Sequence, residues 1–220
     1  MFKPLAALLP LAMLSACISF GAKPPPTLLT LRTTAEVPVG QRQVAAAGAA
    51  TTRSTLTLGG QPVGSVTNGP LVASNSITVS VPTATQEIAT VRVPVQATPT
   101  SIAYLKNAAW VEPPARAFGR LLGDTLTARS GRVVLSSAQS FQTGASQLTG
   151  DLRAFGVDAA SNSAVVVFDA ALLRTSGGGI EKQRFEARVP VAAIDATNAG
   201  VGLNAAANQI AAQVADWVGR

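Results

Sequence analysis

The chain has 220 residues, of which 47% are hydrophobic and 13% charged; its formal net charge is +6, with one cysteine and no histidine. This composition belongs to a folded chain with a core, not to a disordered one. Without histidine, and with one thiol, disulfides, zinc or iron sites built on Cys and His, and histidine-based catalytic triads are excluded.

The amino terminus has the three parts of a secretory signal: Lys3, an apolar run over residues 5–14, and the small pair Ser15-Ala16. The run is too short to cross a bilayer. Leu14-Ser15-Ala16-Cys17 resembles a bacterial lipobox. The resemblance implies cleavage between Ala16 and Cys17, a thioether from Cys17 to diacylglycerol, and an acyl group such as palmitate on the new terminus. No other cofactor is expected. The alternative is a soluble secreted protein whose cysteine lies beside an ordinary cut. A single acyl chain holds a protein only marginally, whereas two or three hold it stably. Ile18 stands where an Asp would retain the lipoprotein in the inner membrane of enteric bacteria, so the resemblance points to the periplasmic face of the outer membrane of a Gram-negative cell.

Domain organisation follows: a signal peptide over residues 1–16, a lipidated tether over 17–26 stiffened by Lys23-Pro24-Pro25-Pro26, and one domain over 27–220. The basic excess sits in the first half. There Lys23, Arg32, Arg42, Arg53, Arg92 and Lys106 face only Glu36 and Glu87. Attraction to anionic headgroups or ordinary solubilising charge would each account for it, and the scatter of these residues favours the second. No basic stripe with interleaved aromatics appears, so nucleic acid is not an expected partner.

Within the domain, residues 27–32 read as a first strand, and 35–76, rich in Ala, Thr, Gly and Ser, as a low-complexity insert with one small hairpin near 55–60. Ile77-Thr78-Val79-Ser80-Val81 alternates as a half-buried strand should, and Val91-Arg92-Val93-Pro94-Val95 repeats the pattern. Pro82 and Pro94 are expected at strand ends or edges, since neither donates to a ladder. After a strand over 101–105, Pro113 and Pro114 suit the first turn of a central helix over about 113–129. Its buried face is Phe118, Leu121, Leu122, Thr125 and Leu126, and Gly131 closes it.

Residues 132–135 return to sheet. The apolar parity switches within 148–157, from Leu148 and Leu152 to Phe155 and Val157, which a bulge would explain. Ala164-Val165-Val166-Val167-Phe168 is apolar on both faces, as in a central strand. It forms a hairpin, across Ser176-Gly177-Gly178-Gly179, with a strand placing Gln183, Phe185, Ala187 and Val189 inward and Lys182, Arg184, Glu186 and Arg188 outward. A C-terminal helix over about 201–218 carries Leu203, Ala207, Ile210, Val214 and Trp217 on one stripe. The fold class is α/β (α+β): one compact domain of mixed, largely antiparallel sheet with a central and a C-terminal helix.

The block Ala103-Tyr104-Leu105-Lys106-Asn107-Ala108-Ala109-Trp110-Val111-Glu112-Pro113-Pro114, with its helix and the following strand, resembles the PqiC-like family of ABC-type transport auxiliary lipoproteins. The likeness extends over 77–220 and includes the strand at 183–190 and the ending Ala215-Asp216-Trp217-Val218. It implies a non-enzymatic, periplasm-facing lipoprotein working beside an ABC permease and ATPase and an MCE-domain protein, moving lipids or other hydrophobic compounds. Some members form rings, so a homo-oligomer is among the implied states. The alternative from the residues alone is an independent lipid-binding or structural envelope lipoprotein. No P-loop or dinucleotide fingerprint appears, and no catalytic or metal residues are assigned.

Tyr104, Trp110, Pro113 and Pro114 are the candidate partner interface, with core packing the commoner fate for the two aromatics. Asp169 interrupts an apolar strand and calls for a partner such as an arginine on the neighbouring strand.

Overall fold

A computed structural model describes residues 27–36, 76–135, 145–174 and 179–219. In chain order it has β1 (Thr27–Leu29), β2 (Ser76–Val79), β3 (Thr83–Ala84), β4 (Arg92–Thr98), β5 (Ser101–Trp110), α1 (Pro114–Ser130), β6 (Val133–Leu135), β7 (Ser146–Asp158), β8 (Ser163–Leu173), β9 (Ile180–Pro190) and α2 (Ala196–Val218). The signal, Cys17, the proline tether, nearly all of the 35–76 insert and the glycine-rich tip at 176–178 lie outside the described residues.

Strand β7 is the spine of the sheet. One side pairs antiparallel with β8 along its length, and β8 pairs in the same sense with β9. The other side is shared by three short parallel partners: β2 near Leu148, β3 near Leu152 and β4 near Val157. From there β4 leads antiparallel to β5 and β5 parallel to β1, while β2 carries β6. The long ladders are antiparallel and the short ones parallel, which gives the mixed, largely antiparallel sheet expected.

Both helices pack against each other and cover one face of this sheet. Three edge-to-face ring pairs mark the core: Phe118 on Phe168 with centroids 5.3 Å apart, Trp110 on Phe155 at 5.4 Å, and Phe185 on Trp217 at 5.7 Å. Each such buried side chain stabilises the fold by about 1.5–3 kcal/mol through area alone. Helix α1 matches its sequence pattern closely. Pro113 caps it, Pro114 opens it, and Gly131 ends it in the left-handed region at φ 63°, where a side chain would be strained. The five predicted face residues are all buried, and Arg116, Arg120 and Asp124 are exposed.

Six expectations need correction, the first being that the strand expected over 101–105 runs on as β5 to Trp110. Helix α2 begins at Ala196, not near residue 201. Asp195 caps it by accepting the Asn198 amide at 2.9 Å, and the two glycines that argue against helix are there for close packing. A Cβ on Gly202 would lie 2.6 Å from Val191 Cγ1, and one on Gly200 2.9 Å from Leu29 Cδ2. Packing therefore overrides propensity.

The first strand stops at Leu29, because the chain beyond it finds its partners on α2 instead of on a strand. Asn204 accepts the Arg32 amide at 2.8 Å, while Asn208 accepts that of Thr34 at 2.8 Å and donates to the Arg32 carbonyl at 2.9 Å. Strand β2 is buried at Ser76, Ile77 and Thr78 alike, since β6 and β7 flank it. Gln183 is exposed, lying on the outermost described strand. Pro94 is inside β4, not at an end. It is tolerated because the β4/β5 register shifts between Arg92 and Pro94 and pairing with β7 starts only at Val95, so its missing amide falls in a gap.

Candidate functional site

Among the described residues, no helix covers the face of the sheet opposite α1 and α2. Along β8 the side chains of this face are Val165, Val167, Asp169, Ala171 and Leu173, and along β9 Lys182, Arg184, Glu186 and Arg188, set by strand alternation and register. The charges pair laterally. Arg184 grips Asp169 with two hydrogen bonds, Nε to Oδ1 at 2.5 Å and Nη2 to Oδ2 at 2.7 Å, across the register partner positions of β8 and β9. The arginine partner expected for Asp169 is therefore present, although the carboxylate is half-buried and not enclosed. That grip, opposed by partial burial, holds the Asp169 carboxyl below the ordinary carboxylate range. A carboxylate kept ionised in this way is badly suited to exchange protons near neutral pH.

The parity switch in β7 is a bulge. Leu152 faces Phe168 and Ala154 faces Val167, so Arg153 is the extra residue. An extra residue bends the strand and redirects its side chain. Here it marks the edge of a cleft of about 590 Å³, whose lining includes Pro94, Ile102, Ala154, Gly156 and Val165, with Arg153, Arg188, Asp158 and Glu87 also contributing. Gly156 keeps the cleft floor bare and lets β4 approach, since a Cβ there would come within 2.5 Å of the Pro94 carbonyl oxygen.

The rim charges are unequally committed. Asp158 accepts from the Ser161 hydroxyl at 2.7 Å and the Ala160 amide at 3.0 Å, and these bonds, the hydroxyl first, lower its pKa. Arg188 lies 2.7 Å from Glu186 and 3.6 Å from Asp158. Among the described residues Arg153 forms an ion pair only with Asp169, at 3.8 Å, and that carboxylate is already taken by Arg184.

The predicted interface residues do not form one surface. Trp110 is 2% exposed and packed on Phe155, with its indole N–H lacking a hydrogen-bond partner among the described residues. Pro114 is buried in the first turn of α1, and Pro113 is half-buried. Tyr104 is half-buried on the same face of β5 as Ile102, with the Arg92 guanidinium 3.7 Å from its ring centroid. Sequence reasoning missed Arg153, Gly156, Pro94 and Ile102 as a group; the β7 parity switch was the one signal that pointed towards it. Among the described residues no group of three Cys, Asp or Glu side chains comes together to hold a metal, and no helix is long and apolar enough to cross a membrane.

Comparison with known families gives this charge-laddered sheet, backed by two helices, a context. The family described as ABC-type transport auxiliary lipoprotein component matches residues 55–215. The chain belongs to that family. This auxiliary component also shares its fold with two solved structures. One is a DUF330 protein from Xanthomonas campestris, 20% identical, covering 65% of this chain and 83% of its own at a TM-score of 0.56. The other is an uncharacterized protein, 14% identical, covering 66% of this chain and 92% of its own at a TM-score of 0.58. No curated protein sequence matches. Family membership associates the chain with an ABC-type transport system and an envelope setting.

Proposed function

We propose that this auxiliary lipoprotein is anchored through lipid on Cys17 to the periplasmic face of the outer membrane. There it serves, without catalysis of its own, an ABC permease and ATPase acting with an MCE-domain protein to move lipids or other hydrophobic compounds. The observation that carries this reading is the family match over residues 55–215. The bare β7–β8–β9 face supports it, because a sheet face whose charges are paired laterally presents a flat, ordered surface to a partner.

Co-purification from native membranes in mild detergent tests the reading. An MCE-domain protein and a permease should be recovered together with the chain, and repeated recovery of neither would overturn it. The anchor has its own test. A Cys17→Ser variant should lose lipid modification and leave the membrane fraction with its circular dichroism unchanged; retention through a high-salt wash would overturn the anchor.

A further inference from the structure

We propose that the cleft between β4, β5 and β7 takes an acyl chain of a membrane glycerophospholipid, with the lipid phosphate against Arg153. The proposal deepens the transport reading, on which it rests for its setting. Pro94, Ile102, Ala154, Gly156 and Val165 give the cleft an apolar lining, and about 590 Å³ is within the range of small-molecule sites. Ile102 is 42% exposed at this site, an apolar side chain left open to solvent. Arg153 is the rim cation with the weakest pairing, 3.8 Å from a carboxylate already bound by Arg184. A cation at the edge of an apolar groove matches an anionic headgroup above a hydrocarbon tail.

Position supplies the occupant. Strand β1 runs parallel to β5, with Thr27 opposite Ala108 and Leu29 opposite Trp110, so the Thr27 end of β1 points back towards Ser101 and Ile102. Ile102 of the cleft lining lies further along β5 in that direction, about 20 Å from Thr27. About ten residues separate Cys17 from Thr27, which limits the reach of a lipid-anchored chain to about 33 Å. With Cys17 lipidated as proposed above, a bilayer lies within that reach of Thr27 and is the apolar material offered to the cleft.

The test uses the native lipidated chain in vesicles of phosphatidylethanolamine and phosphatidylglycerol, doped with phosphatidylglycerol bearing a diazirine on one acyl chain. After irradiation, labelled peptides are mapped by mass spectrometry. Label is expected in 94–102 and 153–165. Ile102→Glu, which sets a carboxylate in the groove, and Ala154→Trp, which fills it, should each lower that label about tenfold with unchanged circular dichroism. Arg153→Ala should reduce labelling by phosphatidylglycerol severalfold and leave labelling by a diazirine diacylglycerol as it was.

Label confined to other surfaces, or unchanged in both folded variants, would overturn the proposal. So would cleft labelling that appears only in Cys17→Ser, since the chain's own lipid would then be the occupant. A fall in sedimenting mass in Ile102→Glu without loss of label would assign the groove to a second copy and overturn it too. Labelling needs no partner protein, so its failure is distinguishable from failure to recover a transport complex.

Discussion

The two faces of the sheet solve different problems with the same strands. On the covered face, Leu152, Phe155, Phe168 and Phe185 are almost wholly buried, two ring pairs tie the helices to the sheet, and a third, Trp110 on Phe155, joins β5 to β7. On the bare face, Asp169 pairs with Arg184 across β8 and β9, and Glu186 with Arg188 along β9, while their backbones hold the same ladders. Stability is therefore concentrated on one side. The other side is free to carry binding residues, because lateral ion pairs at the surface add little.

Substitutions can break or sharpen that contrast. The largest effect is expected for Phe118→Ala on the covered face, where a fully buried ring on Phe168 is removed; chemical unfolding should show a loss of about 3–5 kcal/mol. A loss near that of a surface residue would mean that the helices do not form the core. Gly202→Ala comes next. Its new methyl must displace Val191 and Ala164, costing about 1–3 kcal/mol by the same measurement, and a gain from helix propensity instead would show that α2 stands farther from the sheet.

Acid provides a smaller, signed effect on the bare face. The Asp169 carboxyl is lowered in the folded state chiefly by its hydrogen bonds to Arg184, so its contribution is present above the unfolded value of about 3.9 and is lost as pH falls through the lower folded value. The difference in melting temperature between the wild type and Asp169→Asn should be constant above about pH 5 and shrink below it. A difference that persists undiminished at lower pH would assign the effect to packing. Smallest of all, Thr149→Ala on the exposed side of β7 should change stability by no more than about 0.5 kcal/mol in chemical unfolding. A larger loss would give the bare face a structural role that its exposure denies.

Legibility in the sequence follows how local the physics is. Helix α1 is readable because its start, stop and buried stripe are encoded within its own residues: Pro113 and Pro114, then Phe118 to Leu126, then Gly131. The bulge in β7 is readable because one extra residue reverses side-chain parity along the strand, from Leu152 to Phe155. The start of α2 is not, because Gly200 and Gly202 look like breaks until Leu29 and Val191 are seen pressed against them. Trp110 shows the same limit at the candidate site: its sequence context suits a core or a partner, and only Phe155 beside it decides for the core.

By itself the sequence determined most of the elements, helix α1 above all, and the family resemblance, since these rest on periodicity, punctuation and short motifs carried by neighbouring residues. The order of the strands, the bare face and the cleft were decided by the tertiary structure alone. They depend on β7 meeting β2, β3 and β4 on one side and β8 on the other, and on Arg153, Pro94 and Ile102 converging from separate strands. Such contacts arise from long-range pairing and packing, which leave no periodic trace in the chain.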